Sequence, residues 1–127
     1  MGQDIKLASS DGFELNAYYC ESSGETRGGV IVVQEIFGVN DHIRDVTERF
    51  AAVGYTAIAP AFYDRWRLGF DGGYNADDMA VGRDLKSQAN AELDKVMIDV
   101  ESAREKLASL GKVGITGFCW GGFVSWI

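Results

Sequence analysis

Lys112-Val113-Gly114-Ile115-Thr116-Gly117-Phe118-Cys119-Trp120-Gly121-Gly122 is the stretch whose reading decides the fold. An apolar, strand-like run, Val113–Phe118, enters a Gly-x-Cys-x-Gly-Gly turn and leaves toward a helix. This is the layout of a nucleophile elbow, with cysteine in place of serine. The glycines have a physical reason. A sharp strand-to-helix turn leaves no room for a Cβ at Gly117 or Gly121, and the residue between them sits in a strained backbone conformation. The turn also carries the Cys119 sulfur to a helix start, where backbone N–H groups favour a thiolate.

Working outward, the rest of the chain reads as strands alternating with helices. Ile5–Ala8 and Glu14–Cys20 flank Ser10-Asp11-Gly12 and predict an N-terminal β-hairpin. Val30–Val33 is β-branched and apolar on both faces, as a central parallel strand between helix layers must be. Asn40-Asp41 offers a helix N-cap, Ile43, Val46, Phe50 and Val53 follow at helical spacing, and Gly54 suits the helix end. Tyr55–Pro60 predicts a second buried strand, and the aromatic stretch from Phe62 to Gly73 a loop. Ala89–Leu110 predicts one helix with Leu93, Val96, Met97, Val100, Ala103 and Leu107 as its apolar stripe. Asp94, Lys95, Asp99, Glu101 and Lys106 are expected on its solvated face. Strand–helix–strand–helix–strand with short connections implies right-handed crossovers and an α/β fold.

Composition narrows the function classes. The chain has 127 residues, 46% of them apolar and 24% charged, as in a globular domain. Its net charge of −7 argues against nucleic acid or an anionic membrane as partner. No apolar run is long enough to span a bilayer. Cys20 and Cys119 lie far apart, and the N-terminal residues carry no signal-peptide pattern. Free thiols and a cytoplasmic location are the expectation. Gly28-Gly29 precedes a strand, whereas a dinucleotide fingerprint needs Gly-x-Gly-x-x-Gly after one. No metal or organic cofactor is implied.

Three separated motifs resemble the dienelactone hydrolase family: Gln34-Glu35-Ile36-Phe37-Gly38 with Asn40-Asp41-His42-Ile43-Arg44, Ala59-Pro60 before a Tyr63-containing loop, and the Cys119 elbow. The resemblance covers essentially the whole chain. It implies the N-terminal part of an α/β-hydrolase fold, with a mostly parallel sheet, flanking helices and a preceding β-hairpin. It also implies a Cys–His–Asp enzyme that opens an ester or lactone through a thioester. Glu35 matches the glutamate that holds the thiol. Ile36 and Trp120 match the positions whose backbone N–H groups form the oxyanion hole. The family binds the substrate carboxylate with arginine, for which Arg83 is the candidate here, ahead of Arg65 and Arg67.

One departure shapes the expectations. In α/β-hydrolases the acid and the histidine follow the nucleophile. Only Trp120 to Ile127 follow Cys119 here, and none is ionisable. Residues 1–127 are therefore expected to be a single incomplete domain, a fragment whose triad Asp and His lie elsewhere. The edge of the strand before Cys119 is expected to be open, so a homo-oligomer or swapped partner would cover it. His42, the only histidine, lies at a helix start upstream of the nucleophile and is read as a helix-start residue. Cys20 is read as structural. The alternatives are a non-catalytic interaction module and a thiol sensor using Cys119 alone.

Overall fold

The computed structural model, which describes residues 2–127, runs β1 (Gln3–Ala8), β2 (Glu14–Cys20), β3 (Gly29–Val33), α1 (Asp41–Ala52), β4 (Thr56–Pro60), α2 (Ala76–Asn90), α3 (Leu93–Leu107), β5 (Val113–Gly117) and α4 (Trp120–Trp126). Short 3-10 turns cover Phe62–Arg65 and Ala108–Leu110. The strands form one sheet in the order β1-β2-β4-β3-β5. β3 pairs in parallel with β4 on one side and β5 on the other. β1 and β2 are antiparallel, and β2 runs antiparallel to β4. The sheet is thus mixed. The expectation of a mostly parallel sheet holds for β4-β3-β5 and stops where the hairpin joins the same sheet along β4.

Chain handedness explains the layers. β3 steps to β4 in one direction, and the chain later returns past β3 to lay down β5 on the other side. Two right-handed crossovers in opposite directions place their helices on opposite faces. α1 accordingly packs with Val32, Val39 and Ala59, through Ile43 and Val46. On the other face Ile31, Val33 and Ile58 pack with Leu85, Ala89, Val96, Ala103 and Leu107 of α2 and α3. Alternate residues of β3 therefore serve two cores, which is why the strand has no polar residue. Each such aliphatic side chain contributes about 1.5–3 kcal/mol when fully buried.

The ends of α1 follow their local signals. Asn40 Oδ1 accepts the Ile43 N–H at 3.2 Å. At the other end the Gly54 N–H donates to Ala51 O with Gly54 at φ 104°.

Three expectations need correction. The helix expected over Ala89–Leu110 forms with its apolar stripe as α3, but Ala89 and Asn90 belong to a separate, earlier helix. α2 ends at Asn90 and α3 begins at Leu93. Glu92 breaks the run with φ −136° and ψ 52°, and its carboxylate takes Lys95 Nζ at 2.7 Å and Trp66 Nε1–H at 3.0 Å. Those bonds, first the one from Lys95, hold the Glu92 carboxyl below the usual range. The second correction is that Phe62–Gly73 begins with a 3-10 turn in which Phe62 and Tyr63 are core residues.

The third is Asp99, expected in solvent and found fully buried. Arg65 binds it through Nε and Nη2, both at 2.8 Å, and the Ser9 hydroxyl donates to the same carboxylate. Arg65 also grips Asp11 at 2.8 and 3.0 Å and lies over the Phe13 ring. One guanidinium therefore ties the β1–β2 turn, the loop after β4 and α3 together. The hydrogen bonds from Arg65 hold the Asp11 carboxyl at about 2, below its ordinary 3.8.

Removing one partner of a buried pair strands the other. Asp99→Ala is expected to lower the free energy of unfolding by about 3–5 kcal/mol in urea titrations. Glu101→Ala, which breaks an exposed pair with Arg104 one turn along, should leave the midpoint unmoved. Equal effects would show that the buried network holds nothing together. A pH dependence also follows. Because folding depresses the Asp11 carboxyl, its stabilisation is complete above about pH 5 and is lost as pH falls through 3.8 toward about 2. The stability gap between wild type and Asp11→Asn should close over that range. A gap that stays constant would contradict the pairing.

Candidate active site

The site forms where β3 and β5 end side by side. The chain leaving β3 turns to α1 on one face, and the chain leaving β5 turns to α4 on the other. A crevice opens at such a divergence, beyond the carboxyl ends of the strands. Gln34, Glu35 and Ile36 lie on its β3 side, and Cys119 and Trp120 on its β5 side.

Cys119 has φ 57° and ψ −121°, the one non-glycine residue with positive φ among those described. A strained conformation of this kind costs on the order of 1–3 kcal/mol and persists only where the surroundings enforce it. Here the glycines enforce it. A Cβ on Gly117 would lie 2.4 Å from the Gly121 carbonyl carbon. A Cβ on Gly121 would lie 2.4 Å from Val33 O and 2.7 Å from Gln34 O. The start of α4 therefore rests directly on the end of β3, backbone on backbone. The Gly121 N–H closes the turn onto Phe118 O at 2.9 Å. The Cys119 residue is exposed at the tip of this turn.

The two backbone amides expected as oxyanion donors are free for that use. Neither the Ile36 N–H nor the Trp120 N–H has an acceptor among the described residues. Gln34, fully buried, braces the first of them. Its Nε2–H donates to Glu35 O at 3.2 Å and its Oε1 accepts the Phe62 N–H at 3.1 Å, joining the loops after β3 and β4. Trp120 is buried against Tyr63 and Phe62, with ring centroids at 5.4 and 6.4 Å. Its indole N–H donates to Asn90 Oδ1 at 2.9 Å. Burial pushes the Tyr63 phenol above its ordinary range, so it remains a neutral donor, directed at Gly82 O at 3.4 Å.

The other expected site residues are placed as follows. Glu35 is half-buried in the loop after β3, and no hydrogen bond joins its carboxylate to the Cys119 thiol. Arg83 is exposed on α2. A pocket of about 300 Å³ beside Cys119 is lined by Lys86, Asn90, Trp120 and Phe123, so the cation brought near the thiol is Lys86. Arg65 is taken up by Asp99 and Asp11, and Arg67 lies 5.8 Å from the Phe70 ring. His42 is exposed at the start of α1, with its ring 6.4 Å from that of Phe118. Cys20 is buried, and burial pushes its thiol up. Among the described residues no cluster of His, Cys, Asp or Glu could hold a metal, and no helix is long and apolar enough to cross a membrane.

Sequence reasoning missed α2, and with it Gly82, Lys86 and Asn90. One signal was present: Asn75 caps the helix through Oδ1, accepting the Asp78 N–H at 2.8 Å, with Asp77 and Asp78 in the first turn. The weak apolar pattern of Met79, Val81, Leu85 and Ala89, broken by Gly82, hid it.

Comparison with known proteins accords with this geometry. Residues 15–127 match the dienelactone hydrolase family. A Synechocystis protein named "putative carboxymethylenebutenolidase" is 46% identical over 103 residues, covering 77% of this chain and 41% of its own length. A rat carboxymethylenebutenolidase homolog is 31% identical, covering 98% of this chain and 48% of its own length. The crystal structure of a Klebsiella pneumoniae protein described as a "putative dienelactone hydrolase" superimposes with a TM-score of 0.70 at 33% identity. That match covers 99% of this chain and 52% of the other. The chain thus spans about half the length of the relatives it matches. Over that span it belongs to the dienelactone hydrolase family, with the α/β-hydrolase fold.

Proposed function

We propose that the polypeptide carrying this sequence hydrolyses a carboxylic ester or lactone through Cys119. The observation that carries the reading is the backbone of Cys119: a positive φ, imposed by two glycines that no larger residue could replace, at an exposed strand-to-helix turn. Structural cysteines such as Cys20 need no such constraint.

The Cys119 thiolate attacks the ester carbonyl carbon, and an S–C bond forms as the carbonyl π pair moves to oxygen. The Ile36 and Trp120 N–H groups stabilise that oxyanion, each worth about 3 kcal/mol in such a site. Collapse of the intermediate breaks the C–O bond to the alkoxide, which takes up a proton and leaves a thioester. Water, activated by a general base, then attacks the thioester and returns the thiolate. Glu35 assists formation of the thiolate across the crevice. The base histidine and its orienting aspartate come from residues other than these 127. The substrate is a small ester or lactone, and the compartment is the cytoplasm.

A second reading is favoured by one feature. Among the described residues β5 pairs only with β3, and Phe118, Phe123, Trp126 and Ile127, which follow it, are exposed. Such an edge invites coverage, and a second copy or a swapped segment would serve. Isolated residues 1–127 would then sediment as a dimer, and a monomer at all concentrations would oppose that reading.

Cys119→Ala in the natural polypeptide is expected to abolish turnover of a chromogenic ester while leaving the thermal midpoint within a few degrees. Undiminished turnover would overturn the assignment of the nucleophile. Gly121→Val is expected to remove activity as well, because its side chain would collide with Val33 O and Gln34 O. An active Gly121→Val enzyme would contradict the close approach on which the elbow depends.

A further inference from the structure

The two candidate oxyanion donors follow different strands, yet one ridge of α2 reaches the residue that bears each. Gly82, Lys86 and Asn90 are spaced four residues apart and so fall on one face of the helix. At Gly82 the helix touches the carbonyl end of Ile36, the residue whose N–H is the first donor. A Cβ there would lie 2.4 Å from Ile36 O, and Gly82 O in turn faces the Tyr63 hydroxyl. Two turns along, Asn90 Oδ1 accepts the Trp120 indole N–H at 2.9 Å. Trp120 is the first residue of α4. The close approach of Gly121 to β3 holds its backbone, and the anchoring of the indole holds its side chain. Tyr63 and Phe62 pack against the indole at interplanar angles of 43° and 74°. The Asn90 bond fixes its N–H edge.

We infer that Asn90 is a positioning residue of the ester hydrolase reading, and that the Gly82–Asn90 ridge of α2 sets the spacing of the two oxyanion donors. The Asn90 side chain bonds the Trp120 indole and makes no hydrogen bond to Cys119. It acts through Trp120, whose buried indole N–H, left without a partner, would move to find another. Displacement of an oxyanion donor is felt in the transition state and little in substrate binding.

Asn90 ends α2 and is exposed, so Asn90→Ser leaves the fold in place while the shorter side chain cannot reach the indole. The measurement is single-turnover acylation of Cys119 in the natural polypeptide by p-nitrophenyl acetate, alongside steady-state kcat and KM. The expected result is acylation and kcat slowed about tenfold or more with KM within about twofold. In a Trp120→Phe background, where no indole N–H exists, Asn90→Ser should have no further effect. Acylation of Asn90→Ser at the wild-type rate would overturn the inference, as would losses that multiply in the Trp120→Phe background. The two levels separate cleanly. Wild type that acylates with an unaffected Asn90→Ser variant leaves the hydrolase reading standing and removes the positioning role. Wild type that never acylates at Cys119 removes both.

Discussion

The close approach of Gly121 to the carbonyl oxygens of Val33 and Gln34 is the contact on which the rest of the site depends. Backbone meeting backbone at this range brings the start of α4 onto the end of β3. It forces Cys119 into a positive φ, turns its side chain out of the sheet, and sets the Trp120 amide opposite the Ile36 loop. Gly117 makes the same demand from the other side of the turn. With a side chain at either position, the two strand ends would have to separate and the crevice would lose its shape. The strain held at Cys119 is small beside the burial energy of the two cores around β3, which is why the fold sustains it.

A second constraint works at a distance. Arg65 makes two hydrogen bonds to Asp99 and two to Asp11, and so fastens the β1–β2 turn and α3 to the loop that carries Phe62 and Tyr63. Those two rings form the seat of Trp120. The charged cluster and the site thus share a wall. Gln34 ties the same wall to the Glu35–Ile36 loop through Phe62 N. The loops after β3 and β4 are held by buried polar bonds, in place of strands of their own.

Much of this was legible in the residues. The β-branched run of β3, the Asn40 cap, Gly54 and the glycine-flanked cysteine each state a local requirement that only one structure meets. The site motifs were legible for the same reason, since a close backbone approach leaves a glycine behind. What stayed hidden depends on partners remote in sequence. Asp99 sits on α3 among charges that do face solvent, and nothing nearby announces that Arg65, 34 residues earlier, will reach it. Asn90 is similarly 30 residues from the indole it holds. α2 itself is propped by its cap and by contacts through Gly82, and its apolar periodicity is too weak to read. The placement of Arg83 in solvent, with Lys86 beside the thiol, follows from the helical phase of α2, so it could be read only once that helix was known.

The central claim is that Cys119 is the nucleophile. The most direct test is to quench the natural polypeptide during turnover of an activated ester and map the acyl group by peptide mass spectrometry. The account predicts a single acyl adduct on the peptide containing Cys119, removed by neutral hydroxylamine as a thioester is. An acyl group found on another residue, or turnover with no adduct at Cys119 at any time point, would contradict it.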